Sequence, residues 1–169
     1  MYNAHEIPTD WTPFIEKANE PFPLSIFIVY NNMHAALRAA QMIERLGKKF
    51  RGKMESRLQP LPLSKLSDPA SFDHSLADAS SADMIIVSIS GPGALPPMLK
   101  KWMAECTAQQ REGDSAVVAL LGSLEATDEL DSPRLQFLKN TARAAGIDFF
   151  APRAPEEAEA VFEAFEVVG

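Results

Sequence analysis

An α/β domain is expected from this sequence: a three-layer sandwich around a five-stranded parallel sheet in the order 2-1-3-4-5, with an N-terminal arm. Three features lead there. First, Leu24–Tyr30 (LSIFIVY), the run Ile85, Ile86, Val87 and Ile89, and Ala116–Leu121 (AVVALL) are short, nearly all apolar and rich in β-branched residues. Such runs suit strands buried on both faces of a parallel sheet. Second, stretches with helical apolar spacing separate them, which gives right-handed crossovers. Third, Met54–Leu61 alternates only weakly and carries Pro60, with Pro62 following, so it reads as an edge strand beside the first.

The totals fit one domain: 169 residues, 46% hydrophobic and 23% charged. A net charge of −7 argues against general affinity for nucleic acid or anionic membrane. Cys106 is the one cysteine, so no intramolecular disulfide forms. Met1–Glu6 lacks the basic start and apolar core of a signal peptide. The apolar runs fall far short of the ~18–20 residues that span a bilayer. A cytoplasmic chain is expected.

Residues 1–23 form the arm, and 24–169 the domain. In the arm, Thr12-Pro13 can start a short helix with Trp11, Phe14 and Ile15 as apolar contacts. Such an arm lies over its own domain or exchanges between subunits, so a homodimer is one expectation. After the first strand, His34–Leu46 reads as a helix with Leu37, Ala40, Ile43 and Leu46 inward and Gly47 closing it. Lys48, Lys49, Arg51 and Lys53 follow at the helix end, where cations complement the macrodipole. Leu63–Phe72 reads as loop, and Asp73–Ser81 as a short helix with Leu76 and Ala77 inward.

Ala82–Met103 is the centre of the chain. The buried strand ends at Gly91-Pro92-Gly93, and Pro96-Pro97 opens a helix with Leu95, Met98, Leu99, Trp102, Met103 and Cys106 on one side. Gly113-Asp114 leads into the fourth strand. Glu125–Asp131 is an acidic loop, for which solvation is commoner than cation binding. Ser132-Pro133 starts a helix that carries Leu135, Leu138 and Ala142 inward up to Gly146. Ile147–Ala151 is the fifth strand, and Pro155-Glu156-Glu157 begins a last helix with Val161, Phe162 and Phe165 as its core face.

Open α/β sheets bind ligands at the carboxyl ends of their central strands. Here that rim collects Tyr30, Asn31, Asn32, His34, Ser88, Ser90, Gly91, Gly93, Gly122, Ser123, Glu125, Pro152 and Arg153. Asn31, Asn32, His34, Ser88, Ser90, Gly91, Gly93, Ser123 and Arg153 are the candidate ligand-binding residues. None is assigned as catalytic. Ser88 and Ser90 lie in no Gly-x-Ser-x-Gly elbow, so bonds to backbone are the favoured reading over a nucleophile. A lone His34 reads as a surface or capping residue before it reads as a base. His5 and His74 show no ligand spacing with it, so no metal is expected. Cys106, four residues after Trp102 on the apolar face, reads as a buried thiol.

Three resemblances bear on these residues. Ala144-Ala145-Gly146-Ile147-Asp148-Phe149-Phe150 followed by Pro155-Glu156-Glu157 resembles the closing strand and helix of response-regulator receivers. Those domains imply an acidic pair for Mg²⁺, a phosphoryl-accepting aspartate, a Thr or Ser and a Lys-Pro. This chain has Asn31-Asn32, Ser88 or Ser90, Gly122-Ser123 and Arg153 there. Amides and hydroxyls do not supply the anionic oxygens Mg²⁺ takes. Asp83–Trp102, with Leu99-Lys100-Lys101-Trp102, is similar to the third strand and following segment of flavodoxins and FMN reductases. That likeness implies the flavodoxin-like strand order and a phosphate loop of Ser, Thr and Gly after the first strand. Tyr30-Asn31-Asn32-Met33-His34 carries none of these, and Gly91–Leu95 has no aromatic for a flavin ring. The combination ADMIIVS, LPPMLKKWM, VVALLGS and RAAGIDFF looks like an uncharacterised bacterial family on this plan, which implies a fold and no activity.

The expectation is a non-catalytic, pseudo-receiver-like signalling or protein-binding domain without a cofactor, whose partner is a protein or a small ligand. The alternative is a flavodoxin-like enzyme or a nucleotide- or FMN-binding protein using the same crevice. The pattern specifies a location and no reaction.

Overall fold

The computed structural model describes residues 22–49, 54–110, 115–122 and 132–152. Residues 1–21, which make up most of the expected arm, the segments 50–53, 111–114 and 123–131, and everything from Arg153 onward lie outside the described residues. The expected last helix falls in that part.

Five parallel strands form one sheet in the order β2-β1-β3-β4-β5. They are β1 (Phe22–Tyr30), β2 (Met54–Pro62), β3 (Met84–Ile89), β4 (Ala116–Leu121) and β5 (Asp148–Phe150). β1 pairs with β2 from Phe22↔Met54 to Tyr30↔Pro62, and with β3 from Ile26↔Met84 to Tyr30↔Ser88. β2, which carries Pro60 and Pro62, lies at an edge, where a missing N–H costs least. Its solvent side leaves Leu58 exposed.

Alternation along the buried strands builds a core on each face. Phe27, Val29, Ile85, Val87, Ile89, Val117, Ala119 and Leu121 point to one side. That side is covered by α2 (Pro69–Ser80), α3 (Pro97–Gln109) and α4 (Pro133–Ala144), which follow α1 (Met33–Lys49) in the chain. Leu24, Ile26, Ile28, Met84, Ile86, Ala116, Val118 and Leu120 point to the other side. There they meet Ala39, Met42, Ile43 and Leu46 of α1. Every residue of β3 and β4 is buried.

Trp102 is the largest fully buried side chain. Its indole N–H donates to Ser75 Oγ at 2.8 Å, and its ring lies 5.5 Å from that of Phe27. One residue thus joins α2, α3 and β1. Cys106, one turn further along α3, is fully buried. Burial pushes its thiol from 9.0 up to about 12. A thiol whose pKa is raised by folding stabilises the fold fully below about 9, and that contribution is lost as pH climbs towards 12. A disulfide reagent such as DTNB is expected to leave the native thiol untouched at neutral pH and to titrate one thiol after unfolding. Titration of the folded chain would contradict this burial.

Several local expectations are corrected. Leu37 and Ala40 do not face inward; both are exposed, and Ala35, Ala39, Met42, Ile43 and Leu46 form the buried stripe. Two apolar stripes run along this helix, sharing Ile43 and Leu46, and the one that includes Ala35 and Ala39 is packed inward. Gly47 does not end α1, which runs to Lys49 without a left-handed glycine. Gly146, in contrast, does close its helix at φ 72°, with Gly146 N–H bonded to Arg143 O and Ile147 N–H to Ala142 O. Leu63–Phe72 is not loop: Leu63–Ser67 is a 3₁₀ turn and α2 starts at Pro69. Asp68 caps α2 through Ser71 Oγ and Ser71 N–H, bonds that hold its carboxyl below the usual 3.8. Asp68-Pro69 is the same start signal as Ser132-Pro133. Within α2, Phe72, Ser75, Leu76 and Ala79 are buried while Ala77 is exposed, and in α3 Met98 is 38% exposed.

Candidate functional site

The carboxyl ends of β1, β3 and β4 form the rim. β1 ends at Tyr30, and α1 starts after a turn of two residues, Asn31-Asn32. Asn32 Oδ1 accepts from Ala35 N–H at 2.9 Å, which makes Asn32 the N-cap. Asn31 reaches sideways: its Oδ1 accepts from Ser90 N–H and its Nδ2 donates to Ser90 O, both at 2.9 Å. A side-chain amide thereby adds one more rung after the last β1–β3 pair, Tyr30↔Ser88.

His34, in the first turn of α1, places Nδ1 2.9 Å from Ser90 Oγ. Ser88 turns the other way. It is fully buried, and its hydroxyl donates to Ala35 O at 2.8 Å. It ties β3 to α1 and faces no rim ligand. Gly91 and Gly93 follow with φ of 92° and 109°, and a Cβ on either would meet nothing within 4 Å. Their requirement for glycine is therefore a matter of backbone and not of space. The turn Gly91–Ala94 is exposed.

Two arginines hold this rim from opposite faces. Arg134 of α4 donates to Gly91 O at 2.9 Å and Gly93 O at 3.1 Å. Arg38 of α1 donates to Gly122 O at 2.9 Å and Leu121 O at 3.3 Å. Sequence reasoning selects neither. A signal for Arg134 exists: a cation in the first turn of a helix opposes the macrodipole, so it needs a compensating partner. Nothing comparable marks Arg38.

Of the expected site residues, Asn31, Asn32, His34, Ser90, Gly91 and Gly93 come together at one place. Ser88 lies beneath it, and Ser123 and Arg153 lie outside the described residues. Among the described residues no three His, Cys, Asp or Glu side chains form a metal-binding group. No described helix is long and apolar enough to cross a membrane.

The fold is flavodoxin-like. The chain matches a flavodoxin from Streptococcus pneumoniae TIGR4 with a TM-score of 0.53 at 12% identity, covering 86% of this chain and 97% of that one. A short-chain flavodoxin associated with a non-canonical PDU bacterial microcompartment gives 0.53 at 13%, with 85% and 95% covered. A point mutant of a flavo di-iron protein from Thermotoga maritima gives 0.50 at 10%, with 87% of this chain and 36% of that one covered. No family model and no curated protein matches the chain.

The alternative expected from the sequence, flavin mononucleotide binding, is not matched by the described residues. The turn after β1 has no hydroxyl or glycine, and both its amide side chains are engaged within the chain. Arg38 and Arg134 point at backbone carbonyls. Gly91–Ala94 offers no aromatic ring, and Trp102 is fully buried against Phe27.

Proposed function

We propose that this chain is a non-catalytic, pseudo-receiver-like interaction domain that presents the Gly91–Ala94 turn and its surroundings to a protein partner. One observation carries the reading. Asn31, Arg38 and Arg134 bond to backbone from three directions, so the groups that would grip a small ligand brace the rim instead. An exposed glycine turn held this way loses little entropy on docking, which favours contact recognition. Purified protein is expected to show no flavin absorbance and no shift of melting temperature with FMN or Mg²⁺-nucleotide. It is also expected to gain no mass after acetyl phosphate with Mg²⁺. A saturable shift or a phosphoryl adduct, lost on Asn31→Ala, would overturn the reading.

A second reading has its own observation. Ser90 Oγ at 2.9 Å from His34 Nδ1 is within reach for a nucleophile and base. On an ester, Ser90 Oγ would bond to the carbonyl carbon while its proton passes to His34, which returns it to the departing alcohol. Water would then release the acid from Ser90. The reading stands second because among the described residues no carboxylate orients the imidazole, whose hydrogen bond is to Ser90. A burst of p-nitrophenol from p-nitrophenyl acetate, abolished by Ser90→Ala with the fold retained, would put it first.

A further inference from the structure

The outer face of α1 carries an apolar stripe with no described partner. Met33 is 70% exposed and Leu37 55%, and Ala40 follows on the same side. At spacings of four and three residues these lie in one row, opposite the Ala35, Ala39, Met42 and Leu46 stripe. The row ends at Glu44, whose carboxylate pairs with Lys48 at 3.3 Å. A helix could show any exposed face to water; two large apolar side chains on the face furthest from the core leave a surface that gains by being covered.

We propose that the chain's own N-terminal segment covers it, with Trp11, Phe14 and Ile15 laid along Met33, Leu37 and Ala40. Three arguments favour this occupant. Charge is the first: α1 carries Arg38, Arg45, Lys48 and Lys49 against Glu44, a net of +3. The segment 1–21 carries Glu6, Asp10, Glu16 and Glu20 against Lys17, a net of −3. A second copy of α1 on the same stripe would set +3 against +3, so self-pairing is disfavoured where an acidic segment is attracted. Pattern is the second: Trp11, Phe14 and Ile15 repeat at i, i+3 and i+4, the spacing of one helical face.

Reach is the third. β1 starts at Phe22, at the end of the sheet away from the rim, and α1 runs back towards that end. At ~3.3 Å per strand residue and ~1.5 Å per helical residue, Leu37 stands about 20 Å above the level of Phe22. The outer side of α1 adds roughly 15 Å sideways, from a helix packed ~10 Å off the sheet. The resulting span of about 25 Å is within the ~36 Å that the eleven residues from Trp11 to Phe22 cover when extended.

The test uses the full chain with one cysteine beside each proposed contact, Thr12→Cys with Gln41→Cys, against Thr12→Cys with Gln59→Cys on the exposed edge strand. Buried Cys106 stays unreactive in both. Oxidation is expected to close an intramolecular disulfide rapidly in the first variant and slowly in the second. In the otherwise native chain, Leu37→Glu is expected to shift Trp11 emission to the red and open it to acrylamide, leaving circular dichroism unchanged. Equal cross-linking at both positions, or a Trp11 already fully quenchable in the native chain, would overturn the proposal. So would a disulfide that forms only between two chains, which would give the stripe to a second copy.

Discussion

Trp102→Ala is expected to destabilise the domain by about 3–5 kcal/mol, the range for removing a fully buried aromatic. Three losses combine. The indole leaves a cavity between α2, α3 and β1, its 5.5 Å contact with Phe27 disappears, and Ser75 Oγ loses the donor at 2.8 Å. Ser75 keeps its bond to Phe72 O, so the polar part of the cost is partial. Trp102→Phe is therefore expected to cost less, about 1–2 kcal/mol, since one ring stays in place and the loss is the N–H and the second ring's contacts. Denaturant midpoints at constant slope measure both. Equal costs for Ala and Phe would show that the Ser75 bond, and not the packing, dominates.

Arg134→Ala is expected to cost about 2 kcal/mol, the scale of a hydrogen bond from a charged donor. Arg134 is 8% exposed, while the carbonyls of Gly91 and Gly93 lie in a turn that water can reach. Water then satisfies part of what the guanidinium leaves, which keeps the value below that for a sealed site. The local effect is larger than the global one. Hydrogen exchange at Gly91–Leu95 is expected to speed up, with Trp102 emission unchanged. Arg134→Lys is expected to restore little, because an ammonium offers no rigid fork for two carbonyls. Unchanged exchange in the alanine variant would mean that Asn31 alone holds the turn, and would remove the bracing on which the proposed function rests.

The fold is legible because its determinants are local. The strands around Ile85–Ile89 and Ala116–Leu121 are apolar on both sides, and no other element buries such a run at this length. Pro60 and Pro62 mark an edge by chemistry alone. Helix faces are less legible. In α1 the row Met33, Leu37, Ala40 and the row Ala35, Ala39, Met42, Leu46 are both apolar, and hydrophobicity alone ranks the leucine above the alanines. Packing in the fold ranks them the other way, with Ala35 and Ala39 buried and Leu37 exposed. The start of α2 escapes a reading of Leu63–Phe72 by composition, although the cap at Asp68-Pro69 encodes it.

The rim is located by sequence and only partly explained by it. Asn31, His34 and Ser90 read as groups facing a ligand, and in the fold they face one another. Residue type at the end of a strand says that a polar group is there; it does not say which neighbour it will meet. Asn31 and Ser90 are 59 positions apart, and Arg134 and Gly91 are 43 apart. Such pairs exist only once the parallel sheet brings β1 and β3 into register and α4 packs against β4 and β5, where Arg134 reaches the turn.

What separates the two kinds of feature is distance along the chain. Strand burial, edge character, helix starts at Ser132-Pro133 and Asp68-Pro69, and the glycine turn at Gly91-Pro92-Gly93 are written in the residues themselves. Side-chain shape, backbone freedom and local periodicity suffice for each. The closed rim, the outward Leu37 and the inward Ser88 depend on elements that are remote in sequence. These were left to three-dimensional packing, because a hydrogen bond or a packed stripe is settled by which partner arrives within a few ångströms.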